Sequence, residues 1–342
     1  SMTGDPWWHP SRHSDRRPFL QGRHRIRRAM EAWFDAEDFL TVECSALQVS
    51  PGNETHLHAF QTDYITEAGA HHPLYLHTSP EFACKKLLAA GETKIVDFAR
   101  VYRNREVSSL HSPDFTMIEW YRTGADLPAV MDDTIALCRL AQTTTAISAF
   151  TFRGRTCDPK ADVELLTLDD AFRRYAGIDL ESLLDDRDTF ARAAEAAGIG
   201  ISVDASWSDI FSAVLVARIE PELGNGQMTA LHRYPICEAA LAQACEDDPR
   251  YANRFELYAC GVELANGFHE LTNAEEQRAR FMADMDLKEE LYGERYPIDE
   301  DFLSALANMP DASGVALGFD RLVMLATGAP SVHHVIWTPF TT

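Results

Sequence analysis

Two stretches of this chain set charged side chains among aromatic and aliphatic ones at strand-like spacing. Charge is stable in such places only opposite a partner. The first stretch runs Val101-Tyr-Arg-Asn-Arg-Glu106 and resumes at His111-Ser-Pro-Asp-Phe-Thr-Met-Ile-Glu-Trp-Tyr121. The second runs Arg254-Phe-Glu-Leu-Tyr-Ala-Cys-Gly-Val-Glu-Leu-Ala-Asn-Gly-Phe-His-Glu270. Across residues 115–122 a period of two puts Phe115, Met117, Glu119 and Tyr121 on one face and Thr116, Ile118 and Trp120 on the other. The second face reads as core. A ring, a carboxylate and a phenol sharing the first face is more than packing needs, and points to an ionic ligand. Taken singly the residues have plainer readings. Glu119 could pair with a structural arginine, Glu256 and Glu263 could be surface strand charges, Phe115 and Phe268 could be core, and His111 a loop histidine.

These residues need strands and helix ends to position them. Residues 1–18, rich in Pro, His and Arg, read as a flexible arm. Ile26, Met30, Trp33 and Phe34 recur at helical spacing within a helix over 21–38. A short strand over 39–43, a turn at 50–53, a strand over 57–66 and a loop at 69–73 follow. A strand over 74–77 then runs into a helix. There Ser79 suits the N-cap, Pro80 the first helical position and Glu81 the positive first turn. Residues 95–103 read as a strand, and 123–250 as mostly helical, with surface helices at 169–175 and 189–197. Residues 255–268 read as two strands broken near Cys260-Gly261. Thr272-Asn-Ala-Glu275 has the form of a capping box for a helix reaching Lys288. Residues 313–321 close a strand and open a last helix over 322–327. Neither a Gly-Lys-Ser/Thr phosphate loop nor a dinucleotide fingerprint is present.

The whole chain excludes several classes. Its 342 residues, 46% apolar, can bury a large core. No apolar run is long enough for a membrane span. Ser1-Met2 reads as a tag remnant, no secretory signal opens the sequence, and a cytoplasmic protein is expected. The seven cysteines, Cys44, Cys84, Cys138, Cys157, Cys237, Cys245 and Cys260, form no Cys-x-x-Cys pair and read as reduced thiols. A net charge of −22 argues against a general nucleic-acid binder. Arg12, Arg16, Arg17, Arg23, Arg25, Arg27 and Arg28 are the local exception, either a solvated helix face or a contact for a nucleic acid or an acidic partner.

In order along the chain, Arg103 with Phe115 and Glu119 resembles the second signature motif of class II aminoacyl-tRNA synthetases. Gly318-Phe-Asp-Arg321 resembles the third, and residues 21–47 the first. Phe-Thr-Met-Ile-Glu-Trp-Tyr and Glu-Leu-Ala-Asn-Gly-Phe-His-Glu-Leu are similar to the lysine-activating branch. The resemblance covers about residues 20–330. With the first motif near residue 20, no anticodon-binding barrel is expected ahead of a single catalytic domain at 19–342. The chain thus resembles the stand-alone paralogues that join (R)-β-lysine to elongation factor P. Ser79, where synthetases usually have Ala, and Ala316, where they usually have Gly, favour that branch.

The resemblance implies an α+β fold, a mostly antiparallel sheet of about six strands flanked by helices. It implies an ATP- and Mg²⁺-dependent ligase that forms an acyl-adenylate and passes it to a lysine of elongation factor P. A homodimer is implied, and tRNA is not an expected partner. Arg103 and Arg321 are the implied catalytic groups. The nucleotide would meet Arg103, Asn104, Arg105, Glu106, His111, Ser112, Phe115, Glu263, Leu264, Gly318 and Arg321. The amino acid would meet Ser79, Pro80, Glu81, Glu119, Tyr121, Asn266, Phe268, Glu270 and Ala316. Glu256 and Glu263 are the implied Mg²⁺ ligands. Three positions depart from the family pattern: Arg105 stands where Glu reads adenine, Ser112 where Asn is usual, and Ser45 where Pro is usual at the dimer interface. Either Glu106 takes over through a shifted backbone, or backbone groups read the base. The rival expectations are a truncated synthetase activating α-lysine and an inactive paralogue acting as a binding module.

Overall fold

The alternation at 115–122 belongs to a central strand of an eight-stranded sheet in the computed structural model, which describes residues 4–341. In chain order the strands are β1 (Leu40–Thr41), β2 (Leu47–Gln48), β3 (Phe60–Ile65), β4 (His71–Leu76), β5 (Lys94–Tyr102), β6 (Asp114–Thr123), β7 (Phe150–Phe152), β8 (Arg155–Cys157), β9 (Glu164–Thr167), β10 (Thr229–Pro235), β11 (Tyr251–Ala259), β12 (Val262–His269) and β13 (Ala312–Gly318). The α-helices are α1 (Pro10–Ala36), α2 (Glu81–Ala89), α3 (Leu127–Thr145), α4 (Leu168–Ala176), α5 (Arg187–Ala196), α6 (Trp207–Val214), α7 (Ala274–Tyr292), α8 (Glu300–Ala307) and α9 (Phe319–Thr327).

The sheet order is β1-β5-β6-β13-β12-β11-β10-β9. The inner strands, β5 to β10, pair antiparallel throughout, and a short parallel strand closes each edge. The expectation of about six strands thus describes the antiparallel core and leaves out β1 and β9. One face of the sheet packs on α1, α3 and α9 through Phe34, Ile118, Trp120, Leu317 and Leu322. Met117, Glu119 and Tyr121 take the opposite face, as the period of two requires.

Two backbone devices shape that second face. The β11–β12 hairpin turns at Cys260 and Gly261, both with positive φ (54° and 72°), as a two-residue primed turn needs. In β12 the register then slips: Tyr258 faces Glu263 and Leu257 faces Ala265, so Leu264 is an extra residue. This bulge changes the alternation and brings Glu263 and Asn266 onto the same cavity wall.

Several local expectations are corrected. Residues 10–18 are not a loose arm but the first turns of α1. His9 caps that helix by accepting from Ser11 N, and Pro10 opens it. Buried Arg16 donates to the carbonyls of His333 and Ile336, which ties this end down. Residues 123–250 hold β7 to β10 as well as helices; most of these strands have too few residues to display a period. Residues 71–73 are strand, with the turn at Gly69. Asn273, not Thr272, caps α7 by accepting from Glu276 N at 3.0 Å, and the helix continues to Tyr292.

Candidate active site

Ala316 on β13 pairs with Glu119 of β6 on one side and Asn266 of β12 on the other. Above this row opens a cavity of about 300 Å³, walled by parts of β6 and β11–β13, the start of α9, the 103–112 loop and Glu54 with Leu57.

One end of the cavity is built for anions. Arg103 donates to the carbonyl of Thr78 at 3.3 and 3.4 Å, and its guanidinium lies 5.3 Å from the centre of the Phe115 ring. It has no carboxylate partner among the described residues. Ser112 is buried in the same wall, and its hydroxyl has no hydrogen-bond partner. An unpaired cation and an orphaned hydroxyl around a cavity fit a phosphate-bearing ligand. Arg321 crosses to the β12 bulge, donating to the Glu263 carbonyl at 3.0 Å and to its carboxylate at 3.4 Å. It also donates to His111 Nε2 at 3.1 Å. Burial and the Arg321 charge hold the His111 imidazole below its usual pKa. Neutral His111 therefore carries its proton on Nδ1 and donates it to Ser108 Oγ at 2.7 Å.

The 103–106 turn sends Arg105 and Glu106 to different places. Arg105 takes a left-handed conformation (φ 67°), uncommon for a residue with a Cβ, and its guanidinium lies 5.9 Å from the Tyr292 ring of α7. Glu106 lines the cavity in its stead. Asn104 and Arg105, expected at the nucleotide, are therefore outside the cavity lining. Asn104 instead spends its side-chain carbonyl on Arg105 N and its own N–H on the His58 carbonyl.

Glu256 and Glu263 share the next part of the wall. Glu256 accepts from Tyr258 at 2.7 Å and pairs with Arg254. Burial, then the Glu256 charge, raises the Glu263 carboxyl to about 7 against the pull of Arg321 and Arg254. Glu220, bonded to Tyr258 at 3.2 Å, is raised by burial and Glu256 too. No set of three or more metal-ligating side chains gathers among the described residues. Two carboxylates beside a wall of unpaired donors fit Mg²⁺, which is usually held by one or two carboxylates plus phosphate and water.

The other end is acidic. Ser79, Pro80 and Glu81 line a smaller cavity that shares Glu54 and Leu57 with the larger one. Beneath it Glu119 accepts from Ser79 Oγ at 3.2 Å and from Tyr121 at 2.6 Å, without the structural arginine that its simplest reading supplies. Burial, then the nearby Glu81 charge, lifts the Glu119 carboxyl well above its usual range. Lys85 Nζ reaches Glu81 at 2.6 Å and Glu270 at 2.8 Å. Burial raises Glu270 to about 8 even so. Ser79 Oγ also accepts from Glu81 N at 3.0 Å, but α2 starts one residue later than expected, with Pro80 rather than Ser79 at the N-cap position and Glu81 as its first residue.

Most expected residues therefore converge. Arg103, Glu106, His111, Ser112, Phe115, Glu256, Glu263, Leu264, Asn266, Ala316, Gly318 and Arg321 line the larger cavity. Glu119, Tyr121 and Glu270 are buried below the lining rather than in it. Phe268 packs as partly buried core under Arg254 and lies outside the linings of both cavities. Arg254, Lys85 and Glu54 had been given no role. Arg254 donates to Asn266 at 3.0 Å and to Glu256, and its guanidinium lies 4.2 Å from the Tyr234 ring. Its place at the head of the second charged stretch was the available signal. For Lys85 the only signal was Glu81 four residues earlier, which also describes an ordinary surface pair.

The sequence matches the family described as tRNA synthetases class II (D, K and N) over residues 7–342. A Vibrio cholerae protein named elongation factor P–(R)-β-lysine ligase is 36% identical, with 94% of this chain and 95% of that protein covered. Proteins of the same name from Haemophilus influenzae and Salmonella dublin are 35% and 36% identical, each comparison covering 98% of both chains.

Proposed function

This chain belongs to the class II tRNA synthetase family (D, K and N), and from that premise we propose that it ligates (R)-β-lysine to a lysine of elongation factor P at the expense of ATP. The observation that carries this reading is the near-full-length similarity to relatives of that one name. The layout of charge supports it: an unpaired guanidinium in the larger cavity and a buried acidic cluster at the adjoining smaller one suit a substrate with a carboxylate head and an ammonium tail.

In the first step the β-lysine carboxylate attacks the α-phosphorus of ATP, a P–O bond forms, and pyrophosphate leaves. In the second the neutral lysine amine of the acceptor attacks the acyl carbon, an amide forms, AMP leaves, and the amine proton is lost to solvent. No covalent enzyme nucleophile is needed; the protein contributes positioning and charge stabilisation. Arg103 bridges the α-phosphate and the substrate carboxylate. Phe115 offers a face to adenine, Glu106 takes the base-reading place, and Ser112 gives its free hydroxyl to the nucleotide. Arg321, with His111 fixed as its acceptor, faces the outer phosphates. Glu256 and Glu263 would hold Mg²⁺, which when bound would neutralise phosphate charge. Glu81, Glu119 and Glu270 receive the two ammonium groups. A cytoplasmic homodimer is part of the same reading; among the described residues no helix is long and apolar enough to cross a membrane.

Amino-acid-dependent ATP–pyrophosphate exchange tests the first step. Exchange with (R)-β-lysine well above α-lysine is expected. A clear preference for α-lysine would favour a truncated synthetase, and ligand binding without exchange would mark an inactive paralogue.

A further inference from the structure

Lys85 is fully buried on α2, and nothing in the two chemical steps uses it. Its Nζ lies between two carboxylates, Glu81 of its own helix and Glu270 at the end of β12. The Phe302 ring of α8 lies 6.0 Å away. Across the same space β6 brings Glu119 and Tyr121, with Cys84 of α2 close enough to act on both electrostatically. Lys86 turns outward to Asp299 and Asp301. Glu119 meets the hydroxyls of Ser79 and Tyr121 and no cation among the described residues.

The cluster is held closely. A Cβ on Gly314 would lie 2.4 Å from the Tyr121 ring and 2.9 Å from Glu270 Oε1, so bare backbone makes room for both side chains. Buried ions persist only when paired. Three carboxyl groups against one ammonium leave two negative charges to be met by a ligand once all three ionise on binding it.

We propose that Lys85 is a positioning residue that sets the charge specificity of this pocket, tying Glu81 to Glu270 so that the remaining charge matches a substrate with two ammonium groups. The inference rests on the functional reading above. A substrate with one ammonium group leaves a buried carboxylate unmet. Without Lys85 the three carboxylates lose their only internal cation and repel one another. Their ionisation, which ammonium binding needs, then moves to higher pH. Burial already lifts Glu270 to about 8, and Lys85 works against that lift.

The test is exchange kinetics from about pH 6 to about pH 9 with β-lysine, α-lysine and a one-amine analogue, for wild type, Lys85→Met, Lys85→Arg and Glu270→Gln. In Lys85→Met the KM for the diamino acid should rise roughly tenfold or more near neutral pH. The KM for ATP should hold, and the rising limb of the pH profile should move up by about one unit. Lys85→Arg should restore most of the loss. Glu270→Gln, with one charge fewer, should reduce the preference for two amines over one by roughly tenfold, and it decides the matter should Lys85→Met not fold. An unmoved KM and pH profile in folded Lys85→Met, or an equal loss for ATP, would overturn the role of Lys85 while the functional reading stands; unchanged amine preference in Glu270→Gln would overturn both the role of Lys85 and the placing of Glu270 at the substrate ammonium groups. A wild type that exchanges with no diamino acid overturns both.

Discussion

In the proposed reaction Arg103 is the residue on which the chemistry turns. Among the described residues its side chain hydrogen-bonds to the Thr78 carbonyl alone, so truncating it costs the fold little. Arg103→Ala should cut exchange by about 10²–10³, the usual effect of removing one preorganised donor, with Tm nearly unchanged; near-normal exchange would show that the site is elsewhere. Ser79 makes a finer distinction, because its hydroxyl links Glu119 to the first turn of α2. Ser79→Ala should lower the preference for β- over α-lysine by roughly tenfold, the scale of one hydrogen bond to a charged group, read from the ratio of the two kcat/KM values. At this scale the sequence was most legible where motif and alternation agree, as at Glu119 and Tyr121. It was least legible where a partner is distant. Nothing in the sequence around Lys85 points to Glu270, and nothing around Arg105 shows that a left-handed turn hands its place to Glu106.

At the level of elements, α1 fixes the floor of the site. Buried Arg23 pairs with Asp320 at the start of α9 and donates to Thr116 of β6 at 3.1 Å and to the Val335 carbonyl at 3.0 Å. Asp320 also accepts from Thr116 N at 2.9 Å, so one ion pair joins α1, β6 and α9 just behind Arg321. Arg23→Ala leaves a buried carboxylate without its cation and should cost about 3–5 kcal/mol. A denaturant titration measures this, and a change under 1 kcal/mol, the scale of an exposed pair, would contradict the clamp. The basic N-terminal residues are thus of two kinds: Arg16 and Arg23 turn inward, while Arg17, Arg25, Arg27 and Arg28 stay exposed. Composition alone could not separate them, since the carbonyls and carboxylate they meet lie some three hundred residues later. Strands with a full period, β5, β6, β11 and β12, were readable. The brief β7–β9 gave no period to read, and the bulge at Leu264 exists only in the pairing with β11.

For the molecule as a whole, both ends of the site hold buried carboxyls that titrate above their usual range. Glu263 at about 7 and Glu270 at about 8 hold protons in the fold that the unfolded chain would release near its ordinary carboxylate range. Between those values the native state binds more protons, so this part of the stability is present at low pH and lost as pH rises through the folded values. Glu270→Gln should therefore gain Tm relative to the wild type on going from about pH 5 to about pH 9; a difference that stays flat or reverses would contradict the assigned burial. The most direct test of the central claim follows the acceptor. The protein is incubated with ATP, Mg²⁺, (R)-β-lysine and elongation factor P, and the factor is weighed by mass spectrometry. Addition of a single β-lysyl group to one lysine, dependent on ATP and lost with Arg103→Ala, is the predicted result; an unmodified factor in the presence of active adenylate formation would contradict it.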